Sequence, residues 1–181
     1  MCLNNRPMKS FLRKKEQGFT IIEVIITIAI LTFGIVLVYS AFNVSTVLSY
    51  SISSRFTAAY LAQEGLELIR NIRDYNFTYD ITPWYAGLTD APCDEGCQAD
   101  YTIQDSSQLK SYGSGDFLWL NSDGFYGYDD DGAPTIFKRK ITTTLVEETN
   151  EDVLKVEAMV EWTYNNKSYT YEASEYLYHW K

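Results

Sequence analysis

The sequence is poor in the residues from which most catalytic and metal sites are built. It holds a single histidine, His179, and three cysteines among 181 residues. It contains no glycine-rich phosphate loop, no Gly-x-Ser-x-Gly elbow and no histidine–carboxylate set. Cys93 and Cys97 would need two further ligands to hold zinc. The sequence therefore argues against an enzyme, and its acidic pairs, such as Glu147-Glu148, are predicted to be solvated.

Proline is missing from most of the first half of the chain, where none lies between Pro7 and Pro83. Within that interval the 24-residue run Phe19–Phe42 carries one charge, Glu23. About 20 apolar residues span the hydrocarbon layer of a bilayer, and a helix there satisfies its own backbone hydrogen bonds. The run is therefore predicted to cross a membrane as a helix. Basic residues favour the cytoplasmic side, and four of them precede the run: Lys9, Arg13, Lys14 and Lys15.

Basic residues are scarce beyond the N-terminal segment. The chain has 15 basic and 24 acidic residues, and residues 1–18 contain five of the basic residues and one of the acidic ones. Loss of that segment would leave 10 basic and 23 acidic residues, a net charge of −13. Phosphate contacts need lysine and arginine, so this balance argues against a surface that wraps nucleic acid. A local patch such as Lys138-Arg139-Lys140 stays open as an exception.

The segment around the single acid has a recognisable pattern. A basic leader precedes it and an apolar helix follows it. The segment reads Gly18-Phe19-Thr20-Ile21-Ile22-Glu23-Val24. This pattern resembles the prepilin motif of type IV pilins and type II secretion pseudopilins. The resemblance implies that a prepilin peptidase cuts between Gly18 and Phe19 and methylates Phe19, and that Glu23 is the fifth residue of the mature chain. The alternative is an ordinary signal anchor with an incidental glutamate.

The resemblance also implies a function and a location. The chain would be a structural subunit, a minor pilin or pseudopilin, anchored once in the inner membrane with its C-terminus outside and then built into a filament. Glu23 would pair with the Phe19 amine of a neighbouring subunit during filament assembly. The implied partners are the prepilin peptidase, other pilin subunits and the inner-membrane assembly platform. Two other functions stay open: a membrane-tethered binding module that does not polymerise, and a DNA-uptake pseudopilin.

Helical spacing of apolar residues continues beyond Phe42, so we predict one helix from Phe19 to about Asp74. Steps of three and four give its second half an apolar stripe: Ile52, Phe56, Ala59, Ala62, Leu66, Ile69 and Ile72. The alternative is two helices with a break near Asn43–Ser54, where weaker helix formers gather. The expected segments are a leader at 1–18, a transmembrane helix at 19–42, an amphipathic stem helix at 43–75, and a loop and sheet domain at 76–181.

A long loop is predicted from Tyr75 to Gln104, because two prolines and two glycines interrupt this stretch. It contains Cys93 and Cys97, which would face the oxidising side of the membrane, where disulfides persist. A local disulfide between them is predicted, with free thiols as the alternative. The resemblance assigns this region to the variable lateral loop of pilins, so subunit contacts and plain packing over the sheet both stay open.

The segment that follows is rich in glycine, aspartate and aromatic residues. Short strands at Phe117–Leu120 and Phe125–Tyr128 are predicted to flank a Ser-Asp-Gly turn. Carboxylates are the hard oxygen ligands that calcium prefers, and four of them lie close in sequence: Asp123, Asp129, Asp130 and Asp131. Their spacing departs from an EF-hand loop. No cofactor is therefore predicted, and a calcium site stays open as the alternative to a solvated turn.

The last third carries the clearest β pattern. Apolar and polar residues alternate over Thr135–Glu147, Val153–Tyr164 and Ser168–Tyr178. Asn165-Asn166 is a candidate tight turn, because asparagine tolerates positive φ. We predict an antiparallel meander whose apolar face is covered by the amphipathic half of the long helix. The expected fold class is α+β and pilin-like, with a long N-terminal helix packed on a C-terminal antiparallel sheet.

Overall fold

The computed structural model describes residues 18–130, 132–148 and 151–180. The side chains of Glu147, Glu148 and Glu151 are outside this description. The chain divides into two compact units, one ending at Leu48 and the other beginning at Ser49. As far as it is described, the first unit consists of helix and a short N-terminal lead, whereas the second unit also contains all the described strands.

One α-helix, α1, runs from Ile21 to Thr78. In the first unit every residue from Gly18 to Leu48 is exposed. The predicted single helix is confirmed, and it ends slightly beyond the expected residue, Asp74. The alternative of two helices is wrong, because α1 continues without a break through residues 43–54.

Two polar residues of that interval bond back to the helix itself. Asn43 Nδ2 donates to the Tyr39 carbonyl at 3.0 Å, and Thr46 Oγ1 donates to the Phe42 carbonyl at 3.0 Å. Side chains of this type can compete with helical hydrogen bonds, but here each one reaches a carbonyl one turn earlier. The weaker helix formers therefore mark no boundary.

The second unit contains two antiparallel sheets. The strands are β1 (Cys97–Gln98), β2 (Lys110–Ser111), β3 (Trp119–Leu120), β4 (Tyr126–Gly127), β5 (Ala133–Pro134), β6 (Phe137–Glu148), β7 (Glu151–Tyr164) and β8 (Lys167–Leu177). The larger sheet has the order β2-β1-β6-β7-β8, and the smaller has the order β4-β3-β5. With the helix, these sheets confirm the expected α+β fold.

The predicted meander forms the main part of the larger sheet. β6 pairs with β7 and β7 with β8 in continuous antiparallel register. The turn between β7 and β8 contains Asn165 and Asn166, whose φ angles are 50° and 58°, so the candidate turn is confirmed. Alternation places one set of β6 and β7 side chains in the core: Phe137, Arg139, Ile141, Thr143, Leu154, Val156, Ala158, Val160 and Trp162.

The buried face of α1 differs from the predicted stripe. Ile52 and Phe56 are 45% and 62% exposed, so their assignment to the sheet-facing side is wrong. The buried positions of α1 are Ser54, Ala58, Leu61, Ala62, Gly65, Leu68, Ile69, Ile72, Asn76 and Phe77. Ala59 and Leu66, also placed on the stripe, are only partly buried. Ala62, Ile69 and Ile72 of the predicted stripe are buried, so the prediction holds for the C-terminal part of the stripe and fails at its start.

Gly65 is a point of close approach between α1 and the sheet. A Cβ at this position would lie 3.2 Å from Ala158 Cβ, 3.2 Å from Arg139 Cδ and 3.3 Å from Ile141 Cδ1. Glycine destabilises a helix by about 1 kcal/mol relative to alanine. The close approach therefore accounts for a glycine inside the helix.

The predicted loop Tyr75–Gln104 is shorter and more regular than expected. Its first residues belong to the last turn of α1, and β1 lies within it and pairs with β6. Asn76 ties the loop to the helix, because its Nδ2 donates to the Trp84 carbonyl at 2.9 Å and to the Ala86 carbonyl at 3.1 Å. The hairpin predicted farther along is confirmed in shorter form by β3 and β4.

Candidate functional site

The predicted cleavage site lies just outside the helix. Gly18 and Phe19 are exposed and non-helical, and α1 begins at Ile21. Thr20 caps the helix, because its carbonyl accepts from the Glu23 amide at 3.1 Å and its Oγ1 accepts from the same amide at 3.3 Å. Threonine is a favoured N-cap residue since its hydroxyl satisfies a free amide of the first turn. The Gly18–Phe19 bond is therefore accessible and precedes the first helical hydrogen bonds.

Packing gives no reason for a glycine at position 18. Nothing in the described part of the chain lies within 4 Å of the place where a Cβ on Gly18 would stand. Gly34, inside the apolar run, is equally uncrowded. The glycine before Phe19 thus fits recognition by an external peptidase better than a requirement of the fold.

Glu23 lies in the first turn of α1. A carboxylate there gains about 0.3–1 kcal/mol at exposed sites, because the start of a helix carries partial positive charge. None of the ion pairs among the described residues includes Glu23. An acid in a membrane helix costs about 2.5–3.5 kcal/mol near the centre and less near the end. Its position in the helix therefore offsets only part of the cost of this acid.

The apolar run is long and hydrophobic enough to cross a membrane. An 18-residue window of α1 has a mean hydropathy of 2.8, and none of that window is buried. The core helix of a soluble domain would have its apolar side chains covered, so this exposure sets the run apart from such a helix. An exposed apolar surface of this length needs lipid or other helices around it.

The candidate basic patch Lys138-Arg139-Lys140 is wrong in its central residue. Arg139 is fully buried, and its guanidinium donates to the Leu61 carbonyl at 3.1 Å and to the Ala99 carbonyl at 2.6 Å. Glu64 pairs with the same guanidinium at 3.2 Å. Successive side chains of a strand point to opposite faces, and the core face of β6 takes the arginine.

The two lysines beside Arg139 each lie over an aromatic ring. Lys138 Nζ stands 4.5 Å from the Phe117 ring centroid and donates to the Ser114 carbonyl. Lys140 Nζ stands 5.9 Å from the Tyr112 ring centroid. Arg139 is therefore not part of a basic surface, and Lys138 and Lys140 are the two half-exposed bases on the outer face of β6.

Tyr128 adds a buried hydrogen bond to the same region. Its hydroxyl donates to the Arg139 carbonyl at 3.0 Å. Burial raises the pKa of Tyr128 from 10.0 to about 12, with Arg139 acting in the opposite direction. Loss of solvation disfavours the charged phenolate, so this hydroxyl stays a neutral donor at physiological pH. No local pattern in the sequence indicates this contact, because it depends on the burial of Arg139.

Cys93 and Cys97 are joined by a disulfide, with their Cα atoms 4.5 Å apart. Both residues are fully buried. The Cys93 carbonyl accepts from the Thr143 amide at 3.0 Å, which attaches this part of the loop to β6. Oxidation of the pair in the exported protein stays a prediction, and mass spectrometry of non-reduced peptides would test it.

The candidate calcium ligands are only partly described. Asp123 lies in the β3–β4 turn, where its amide donates to Asn121 Oδ1 at 3.0 Å. Among the described residues, no three histidine, cysteine, aspartate or glutamate side chains form a group that could hold a metal ion. Asp131 lies outside the described residues, so a site that combines it with Asp129 and Asp130 stays a prediction.

His179 packs against aromatic rings near the end of α1. Its ring lies 5.4 Å from the Phe77 ring, edge to face, and 6.4 Å from the Trp84 ring. These contacts fit the structural role that a lone histidine on an aromatic segment suggests.

The accessible glycine–phenylalanine bond, the capped helix and the single acid in an apolar run are the features of a prepilin-type N-terminal segment. Comparison with known protein families finds the prokaryotic N-terminal methylation motif at residues 13–39. This match covers 27 of the 181 residues; it supports the resemblance to type IV pilins and pseudopilins and processing by a prepilin peptidase. The family is structural rather than enzymatic. No curated protein and no solved structure matches the chain significantly.

Proposed function

We propose that this chain is a minor pilin or pseudopilin, a structural subunit of a type IV pilus or of a type II secretion-like filament. The observation that carries the proposal is the geometry of residues 18–42. They combine an accessible Gly18–Phe19 bond, a helix capped by Thr20 and an exposed apolar run with one acid. The methylation motif covers most of the same residues.

Residues 19–42 hold the chain in the inner membrane until assembly. The basic residues before the run keep the N-terminus in the cytoplasm. The acidic, disulfide-bearing second unit is then exported to the oxidising side, where disulfides persist. The partners in this state are the prepilin peptidase, other subunits and the inner-membrane assembly platform.

Glu23 is assigned the alignment of neighbouring subunits. Removal of residues 1–18 frees the α-amine of Phe19, which is largely charged at neutral pH. In the apolar core of a filament an unpaired carboxylate is strongly unfavourable. Glu23 therefore pairs with the Phe19 amine of a neighbour, and this pair sets how far one helix is displaced along the next.

Two departures from the major-pilin pattern favour a minor subunit. The run Phe19–Phe42 contains no proline that would kink it, and α1 is unbroken there. No cysteine follows Cys97 in the sequence, so the C-terminal disulfide loop of many major pilins has no counterpart here.

Mass spectrometry of the protein purified from its own membrane tests the proposal. We expect the mature chain to begin at Phe19 and to carry a methyl group on its α-amine. Gly18→Leu should leave residues 1–18 attached, because the peptidase requires the glycine. Gly34→Leu is the matched control, since a Cβ meets nothing at either position, and it should be processed like the wild type. An intact Met1, or a cut elsewhere, would favour the membrane-tethered binding module instead.

A further inference from the structure

The outer edge of β8 is an open strand edge. β8 runs over 11 residues at one end of the larger sheet and pairs with β7 in unbroken register from Lys167 to Leu177. In the part of the chain that the structure describes, no backbone hydrogen bond reaches the other side of β8. The strand therefore presents a row of unpaired backbone amides and carbonyls.

Natural sheets usually protect such an edge. A proline, a bulge, a very short strand or an inward-pointing charge prevents another chain from adding to it. β8 has no proline, its register with β7 has no bulge, and it is longer than most strands. Two charged residues lie on its helix-facing side: Glu175 is neutralised by Arg70 of α1, and Lys167 is the first residue of the strand, beside the turn. The β8 edge can therefore pair with a further strand.

The two faces of β8 set the chemistry of that strand. Tyr169, Tyr171 and Ala173 lie on the helix-facing side, opposite core residues of β7, and Tyr171 remains 37% exposed. An added strand with apolar side chains on this side would cover them. The other side carries Thr170, Glu172 and Ser174.

The negative charge on the solvent-facing side of β8 favours an added strand that carries basic residues on that side. Glu172 is exposed and forms none of the ion pairs found among the described residues. Glu161 lies on the same side of β7, but Lys138 of β6 lies directly opposite it, so Glu172 is the acid that an added strand would meet. Opposite charges on neighbouring strands stabilise a sheet, whereas like charges directly opposite destabilise it. Lysine or arginine on the solvent side of an added strand would therefore be favoured.

We propose that the β8 edge binds an extended segment of a partner polypeptide, which adds to the sheet as a sixth strand. The segment alternates apolar residues, which cover Tyr169 and Tyr171, with basic or hydroxyl residues, which face Glu172. Backbone hydrogen bonds supply affinity in this mode of recognition, and alternate side chains supply specificity. The proposal concerns the second unit alone and does not depend on filament assembly.

A second copy of this chain fits the edge less well. The only base of β8 is Lys167, which shares the face of Tyr169 and Tyr171, so β8 of another copy brings no base to Glu172 while the two tyrosine faces stay together. The strand at the other end of the sheet, β2, is only two residues long. It cannot cover an edge of this length.

Amide hydrogen exchange of the full-length protein in detergent micelles tests the proposal. The probe is the acetylated and amidated peptide Lys-Val-Thr-Val-Lys-Val-Thr. Two control peptides replace its lysines with glutamates or shuffle its sequence so that the alternation is lost. We expect the probe to slow the exchange of alternate β8 amides at least about tenfold, a typical effect of occupying most of the sites, and both controls to have little effect.

Two charge variants locate the contact. Glu172→Lys should weaken binding of the probe by roughly tenfold, because it replaces attraction with repulsion beside the added strand. Glu95→Lys makes the same change in net charge at an exposed turn next to β1, on the far side of the sheet, and should leave binding within about twofold. Exchange of the β7 amides in both variants checks that the sheet is intact.

Several results would overturn the proposal. These are an unchanged exchange rate in β8 with the probe, equal protection by the glutamate or shuffled peptide, and equal binding by Glu172→Lys and the wild type. A fourth is protection of β8 without any peptide that disappears on dilution, since the occupant would then be a second copy. None of these outcomes bears on the N-terminus of the mature chain, so a failure here is distinct from a failure of the proposed function.

Discussion

The two units of the chain treat apolar surface in opposite ways. Every described residue up to Leu48 is exposed, although residues 18–48 carry a single charge, Glu23, whereas from Ser49 onward apolar side chains gather in a core between α1 and the sheets. Acidic residues show the reverse distribution, since 22 of the 24 lie beyond Leu48. The second unit is largely complete in itself, while the first acquires its contacts from lipid or from other chains.

The largest effect is expected at Glu23, the acid of the apolar run. Glu23→Ala should insert in the membrane and lose residues 1–18 normally, but its incorporation into filaments should fall roughly a hundredfold. Removing one partner of a buried ion pair costs about 3–5 kcal/mol, and each 1.4 kcal/mol is about tenfold. Quantitative immunoblots measure the amount of each variant in sheared filaments relative to its amount in membranes.

Glu67→Ala is the control for that prediction, because Glu67 is an exposed acid of the same helix in the second unit. It should assemble like the wild type. If Glu23→Ala were incorporated at the wild-type level, the two acids would be equivalent and the pairing role of Glu23 would be abandoned.

Arg139 tests the self-sufficiency of the second unit. Arg139→Met should lower the free energy of unfolding by about 3 kcal/mol, because it leaves the Leu61 and Ala99 carbonyls without a donor in the core. Denaturant unfolding of the full-length protein in detergent, followed by tryptophan fluorescence, gives the value. Lys110→Met, at an exposed base of the same sheet, should change it by no more than about 0.5 kcal/mol. Equal effects of the two variants would show that Arg139 does not hold the core together.

Two glycines of α1 test the difference in packing between the units: Gly65 is crowded by the sheet, whereas Gly34 has no neighbour. Gly65→Ala should destabilise the second unit by about 1–2 kcal/mol, since overpacking costs about 1–3 kcal/mol and the better helix propensity of alanine returns part of it. Gly34→Ala meets nothing within 4 Å and should not lower the melting temperature. Thermal unfolding of both variants in the same detergent provides the comparison. A Gly65→Ala protein as stable as the wild type would mean that the helix can move away from the sheet at no cost.

The smallest effect is a pH dependence at Tyr128. Its folded pKa of about 12 lies above the ordinary value of 10.0, so above pH 10 the unfolded chain loses this proton before the folded chain does. The stability supplied by Tyr128 is therefore complete below pH 10 and declines as the pH rises towards 12. Tyr128→Phe should cost about 1 kcal/mol at pH 8, from the lost hydrogen bond, and less at pH 11.

The difference in unfolding free energy between the wild type and Tyr128→Phe is measured at pH 8 and at pH 11, and it should be smaller at pH 11. Tyr178→Phe, at an exposed position, is the control and should differ little from the wild type at either pH. A gap between wild type and Tyr128→Phe that stays constant from pH 8 to pH 11 would contradict the buried, neutral phenol.

The features that the sequence predicted depend on local patterns. The apolar run, the meander and the Asn165-Asn166 turn each follow from residues close together in the chain, and each is present in the structure. The prepilin motif is likewise a short linear pattern, which is why residues alone could identify it.

The features that the sequence missed depend on contacts between distant segments. The second half of α1 has apolar residues on several sides, so periodicity could not choose between the side of Phe56 and the side of Ala58. The open possibility of a basic patch at Lys138-Arg139-Lys140 rested on charge alone, whereas the β6 alternation puts Arg139 in the core. β1 was missed because two residues carry too little pattern, and its pairing with β6 is visible only in three dimensions.

The cap at Thr20 has a consequence for the enzyme that would act on this chain. The Gly18–Phe19 bond lies two residues before the first helical residue, and Thr20 itself accepts from the Glu23 and Val24 amides of the first turn. The peptidase can therefore release the leader without unwinding a single turn of its substrate. A product cut at this bond would begin with a positive end already beside a formed helix.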